Sequence, residues 1–156
     1  MATKQKTLIV LPVEGSPYIL SKDFFEDTEG SLEKLQSAVG GYIEAVAMPK
    51  ERVEIHPTVA KICISWRQAG KLIKKAPKTY ITLWCNENGL RECSPNIAVS
   101  VKCMGGYRLL TGQLCIMVNT KWFNKNKKNY TGIYDSREAM MIARYGDDSD
   151  DSDDSE

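Results

Sequence analysis

Tyr80-Ile81-Thr82-Leu83-Trp84-Cys85 is the clearest β-strand in the chain, rich in β-branched and aromatic residues. Two further apolar runs support a sheet around it. Leu8-Ile9-Val10-Leu11, closed by Pro12, and Leu114-Cys115-Ile116-Met117-Val118 are short and continuous, the pattern of inner strands. Tyr42 to Ala47, stopped by Pro49, predicts another strand, and Arg52-Val53-Glu54-Ile55 alternates like a strand with one wet face. In Lys61-Ile62-Cys63-Ile64-Ser65-Trp66 the larger apolar residues again fall on alternate positions, which predicts a half-buried strand. From Arg67 to Lys78 two readings stay open. One is a hairpin arm turning at Ala69-Gly70; the other is a helix with Trp66, Ala69, Ile73 and Ala76 on one side. Asn88-Gly89 fits a two-residue hairpin turn, which would set Trp84 against Cys93 and Cys85 against Glu92.

Helix signals are fewer. Ser31 is placed to cap a helix carrying Leu32, Leu35 and Val39, with Glu33 in its first turn and Gly40-Gly41 as its stop. Ser94-Pro95 reads as the opening of a second, with Ile97, Ala98 and Val101 inward and Gly105-Gly106 at its end. Asp135-Ser136-Arg137-Glu138 fits a capping box ahead of Ala139, Met140, Ile142 and Ala143. Residues 13–30 and 119–131 read as loop. Strands and helices do not alternate regularly, so the expected fold is α+β: one small domain, a mixed or antiparallel sheet, and about three short helices.

The 156 residues suffice for one domain, and 42% apolar with 26% charged residues is a globular composition. The formal net charge of +1 hides a cancellation. Residues 147–156 hold seven acids and no base, leaving residues 1–146 with 21 basic and 13 acidic side chains, a net of +8. The expected organisation is a basic domain over 1–146 and a disordered acidic tail over 147–156, too polar to bury a core. Ser149, Ser152 and Ser155 are each flanked by acids and suit an acidophilic kinase. Each phosphate would add about −1.5 to −2 charge. No apolar run is long enough for a membrane span or a signal-peptide core, so an intracellular location is expected (host cytoplasm or nucleus, or a virion). The five cysteines are then expected as free thiols.

The run Leu32-x-x-Leu35-Gln36-x-x-Val39-Gly40-Gly41-Tyr42-Ile43-Glu44 resembles the helix, double glycine and "[YW]-I-E" strand of the family designated domain of unknown function 3846. Cys85-Asn86-Glu87-Asn88-Gly89-Leu90 and Ser94-Pro95-Asn96-x-Ala98 are similar to its "N-E-x-G" turn and "P-N-x-A" helix start. The resemblance covers about residues 5–48 and 79–145; it leaves 50–78 as an insertion, with 120–131 and the acidic tail as further departures. It implies an accessory protein of a phage, plasmid or large DNA virus, and it assigns no catalytic residue.

Enzymatic chemistry has little to stand on. His56 is the only imidazole, so a nucleophile has no second base to choose from, and neither a phosphate-binding loop nor a dinucleotide fingerprint occurs. Cys85, Cys93, Cys103 and Cys115 lack the close pairs of a zinc site. No catalytic residue, metal or cofactor is therefore expected. Binding is better supported. Lys61, Arg67, Lys71, Lys74, Lys75 and Lys78 surround Trp66 and precede Tyr80; Lys121, Lys125, Lys127 and Lys128 are flanked by Trp122, Phe123 and Tyr130. Cations neutralise phosphates while aromatic faces stack on bases, so these two clusters predict nucleic-acid binding tuned by the acidic tail. The alternative is a protein-interaction module that engages a host or virion protein through the tail or the 50–78 segment. A small-ligand site near Glu44 and Asn86 is a third possibility.

Overall fold

The computed structural model describes residues 5–25, 30–45, 53–55, 57–77, 80–86, 95–103 and 106–144. The first half of the chain forms β1 (Gln5–Leu11), β2 (Tyr18–Phe25), α1 (Ser31–Val39), β3 (Ile43–Ala45), β4 (Val53–Ile55), α2 (Pro57–Ile62) and α3 (Ile64–Lys75). The second half forms β5 (Ile81–Asn86), β6 (Pro95–Cys103), β7 (Gly106–Thr111), β8 (Leu114–Asn119) and α4 (Thr120–Asn126). A 3-10 turn, Lys127–Asn129, continues α4, and α5 spans 137–144.

Among the described residues the strands pair antiparallel, with one isolated parallel bridge from Tyr18 to Tyr134, and the fold is α+β. The main sheet has five strands in the order β2-β1-β8-β5-β3; a smaller one runs β4-β6-β7. Why β1 and β8 read as unbroken apolar runs is now plain: they lie at the sheet's centre and both faces are covered. Successive side chains point to opposite sides. Ile9, Leu11, Leu83, Leu114, Ile116 and Val118 face α3, α4 and the segment after it, packing against Trp66, Leu72, Ile73, Phe123, Tyr130 and Ile133. Leu8, Val10, Cys115 and Met117 point the other way, against Leu35, Ala38 and Val39 of α1 and Met140 of α5. The chain thus builds a helix layer on each side of the main sheet. No helix among the described residues is long and apolar enough to cross a membrane.

The glycine stop of α1 holds as expected. Gly40 adopts φ 80°, and the N–H groups of Gly40 and Gly41 both donate to the Gln36 carbonyl, at 2.8 and 3.0 Å. Ser31, however, is the first helical residue, and no side chain caps this helix.

Several expectations are corrected. The loop expected over 13–30 contains β2, an edge strand. Lys61–Trp66 is not a strand: α2 ends at Ile62, α3 starts at Ile64, and Ile62 is 81% exposed while Trp66 is buried. Over Arg67–Lys75 the helical reading is the right one. The helix expected from Ser94-Pro95 is instead strand β6, where Pro95 takes the first position, one that proline tolerates because a missing ladder donor matters least there. The polar stretch after Asn119 folds into α4. At α5 the cap sits one residue later than the box implied, since the Ala139 N–H donates to Ser136 Oγ at 3.0 Å. A β5 hairpin cannot set Trp84 against Cys93, because Trp84 already pairs with Cys115 of β8 on one edge and Ala45 of β3 on the other. The helices of the 50–78 segment, read as an insertion, form one of the two layers that bury the sheet. The Asn88-Gly89 turn, His56 and the acidic tail lie outside the described residues.

Candidate nucleic-acid interface

An amphipathic helix turns its apolar stripe to the core and presents the rest. In α3 the stripe of Trp66, Ala69, Leu72 and Ile73 is buried, which leaves Arg67, Lys71, Lys74 and Lys75 on the solvent side; Lys61 of α2 is exposed beside them. In α4 and its 3-10 turn Phe123 is buried, and Lys121, Lys125, Lys127 and Lys128 are exposed. Both elements cover the same face of the main sheet and contribute to one core, so the described basic residues of α3 and of α4 lie on the same side of that sheet.

Neither α3 nor α4 carries an acid. No Asp or Glu occurs from Ile55 to Asn86, nor from Cys93 to Tyr134. Lys127 reaches the Asp135 carboxylate at 3.6 Å, an exposed pair. Among the described residues, Lys61, Arg67, Lys71, Lys75, Lys121, Lys125 and Lys128 meet no carboxylate at such a distance. The opposite side mixes its charges: Glu33 and Lys34 share α1, and Arg144 of α5 faces Glu14 at 3.7 Å.

A cleft of about 770 Å³ opens beside α4. Thr120, Lys121, Trp122, Asn124 and Lys125 line it from that helix, Asn119 from the end of β8, and Gln5 and Tyr80 from two other parts of the chain. Trp122 is half-buried and held in place. Its backbone N–H donates to Asn119 Oδ1 at 2.9 Å, its carbonyl accepts from Asn126 Nδ2 at 2.8 Å, and its ring lies 6.2 Å from that of Tyr130 at 36°. Tyr130 is buried, which raises its phenol pKa and keeps the ring neutral at physiological pH. Tyr80 belongs to the first basic–aromatic cluster, whereas Asn119 and Gln5 were not singled out as site residues. The signal for Asn119 was available, since asparagine three residues before a helical N–H is a strong N-cap pattern.

Other site candidates fare differently. Trp66 is 3% exposed and its Nε1 donates to the Gly15 carbonyl at 2.8 Å, so its ring faces are not open to a base. Asn86 is buried beneath Gly41 and donates to the Val39 carbonyl at 3.4 Å; its amide holds the end of α1 rather than facing a ligand. The backbone of Glu44 pairs with Cys85, and its side chain lies outside the description. Lys78, Ser149, Ser152 and Ser155 also fall outside the described residues. Cys63, Cys85 and Cys115 are free thiols. The chain matches no family model, no curated protein and no solved structure.

Proposed function

We propose that this chain is a non-enzymatic accessory protein of viral or phage-like type, acting inside a cell by binding nucleic acid through the basic layer of α3 and α4. One observation carries the reading: two clusters far apart in sequence share one face, on elements that bring no carboxylate with them. A polyanion laid on that face releases counterions for each phosphate neutralised, and affinity then falls steeply with salt. The acidic residues 147–156 act as a tethered competitor for the same cations, and phosphorylation at Ser149, Ser152 or Ser155 strengthens the competition.

The test compares the full-length protein with a full-length variant whose tail aspartates are replaced by asparagine. The neutralised variant is expected to bind labelled oligonucleotides more tightly at low salt, and both proteins should lose affinity as salt rises. Equal affinity of the two removes the tail from the mechanism; a flat salt dependence removes the basic layer. A second reading, a module for a protein partner, is favoured by Ile62 and Ile64, which lie exposed at 81% and 51% where α2 meets α3. Recovery of a single partner after nuclease treatment, lost on Ile62→Ser, would favour it.

A further inference from the structure

We infer that the cleft beside α4 is a base-stacking subsite for single-stranded nucleic acid. This rests on the nucleic-acid reading above and deepens it. The α3 surface offers cations but no aromatic ring, because its one tryptophan is buried. The cleft combines both chemistries: Tyr80 and Trp122 line it together with Lys121 and Lys125. Aromatic rings contributed from two separate chain positions offer surface on which a base can lie, and the two ammonium groups meet the phosphates on either side of it. The Trp122 side chain packs partly against the core and beside the Tyr130 ring, so binding loses little side-chain freedom there. Its volume, about 770 Å³, is in the range of pockets that enclose a small molecule. Asn124 supplies an amide for the polar edge of a base, and Gln5, whose Nε2 donates to the Lys22 carbonyl at 3.0 Å, keeps its side-chain oxygen as an acceptor. Stacking of this kind requires a base free of its own neighbours. A duplex hides its base faces, whereas a single strand exposes them.

The experiment titrates the full-length protein, at low salt, with labelled oligothymidine and with a duplex of the same length. Oligothymidine is expected to bind about tenfold more tightly than the duplex. Trp122→Leu should weaken oligothymidine binding about tenfold and leave duplex binding unchanged, and Trp122→Phe, which keeps a ring, should restore most of the loss. The double variant Lys71→Gln, Lys75→Gln should weaken both ligands alike. Thermal melting confirms folding of each variant; if Trp122→Leu unfolds, Tyr80→Leu carries the same comparison from the other lining segment. Duplex binding as tight as oligothymidine, or folded Trp122→Leu and Trp122→Phe variants with equal losses on both ligands, would overturn the stacking site while leaving the basic layer intact. Failure of both ligands to bind would overturn the basic layer itself.

Discussion

At Gly70 a β-carbon would come within 2.7 Å of Ile55 Cγ1, closer than packed atoms tolerate. The residue sits mid-helix, where glycine is unfavourable relative to alanine by about 1 kcal/mol, so helix propensity alone favours replacing it. The close approach of β4 explains why it is glycine. Gly70→Ala is therefore expected to destabilise the protein by about 1–3 kcal/mol in urea unfolding despite the better helix former. Adding Ile55→Ala, which removes the opposing atoms, should give a double variant less destabilised than the two single effects combined. Asn96 shows a comparable economy of contact. It is fully buried, and its Nδ2 lies within hydrogen-bond reach of the carbonyls of Leu11, Pro12 and Gly112, tying β6 to the main sheet. The sequence marked Asn96 only as part of a helix start, because nothing local announces which distant carbonyls an amide will meet.

Among the elements, those whose signal is local were the ones read correctly. The inner strands β1, β5 and β8 announce themselves by apolar content, and α1 by its spacing and its double glycine. Helix α5 belongs here too, with its cap displaced to Ser136. Its hydroxyl satisfies the Ala139 N–H, so Ser136→Ala should cost about 1 kcal/mol of stability and speed amide exchange in the first turn of α5. Elements with ambiguous signals went the wrong way. Ile62, Ile64 and Trp66 alternate in sequence, but the helix break at Cys63 leaves the two isoleucines exposed and turns only the tryptophan inward. In β6 the cap-like Ser94-Pro95 outweighed the alternation of Ile97, Val99 and Val101, a period-two pattern of β-branched residues that was the better guide.

Among the described residues of the whole molecule, three buried groups that are neutral when protonated have shifted pKa values. Tyr18 is buried, and that burial raises its pKa against the opposing pull of the nearby Arg137; Tyr130 is raised by burial alone. Burial pushes the Cys115 thiol from its ordinary 9.0 up to about 12. Each of these groups is neutral when protonated, and its folded-state pKa lies above the unfolded one. Their contribution to stability is complete below about pH 9 and is lost as pH rises through the folded-state values. Urea unfolding should therefore show falling stability between pH 9 and 12, and Cys115→Ala should flatten part of that fall. Native Cys115 should also resist thiol reagents at neutral pH, because both access and thiolate are lacking.

Composition and local pattern established the α+β class, the central strands, the first helix and the concentration of seven acids in residues 147–156. These follow from forces that act over a few residues: side-chain periodicity, glycine geometry and the sign of nearby charges. Only the tertiary structure decided that α3 and α4, more than 40 residues apart in the chain, lie on one face of the sheet and that Tyr80 and Trp122 line one cleft. It also decided which aromatic ring is spent on the core and which one borders solvent. Such outcomes depend on the common core that distant segments must bury together, and no local pattern of residues encodes it.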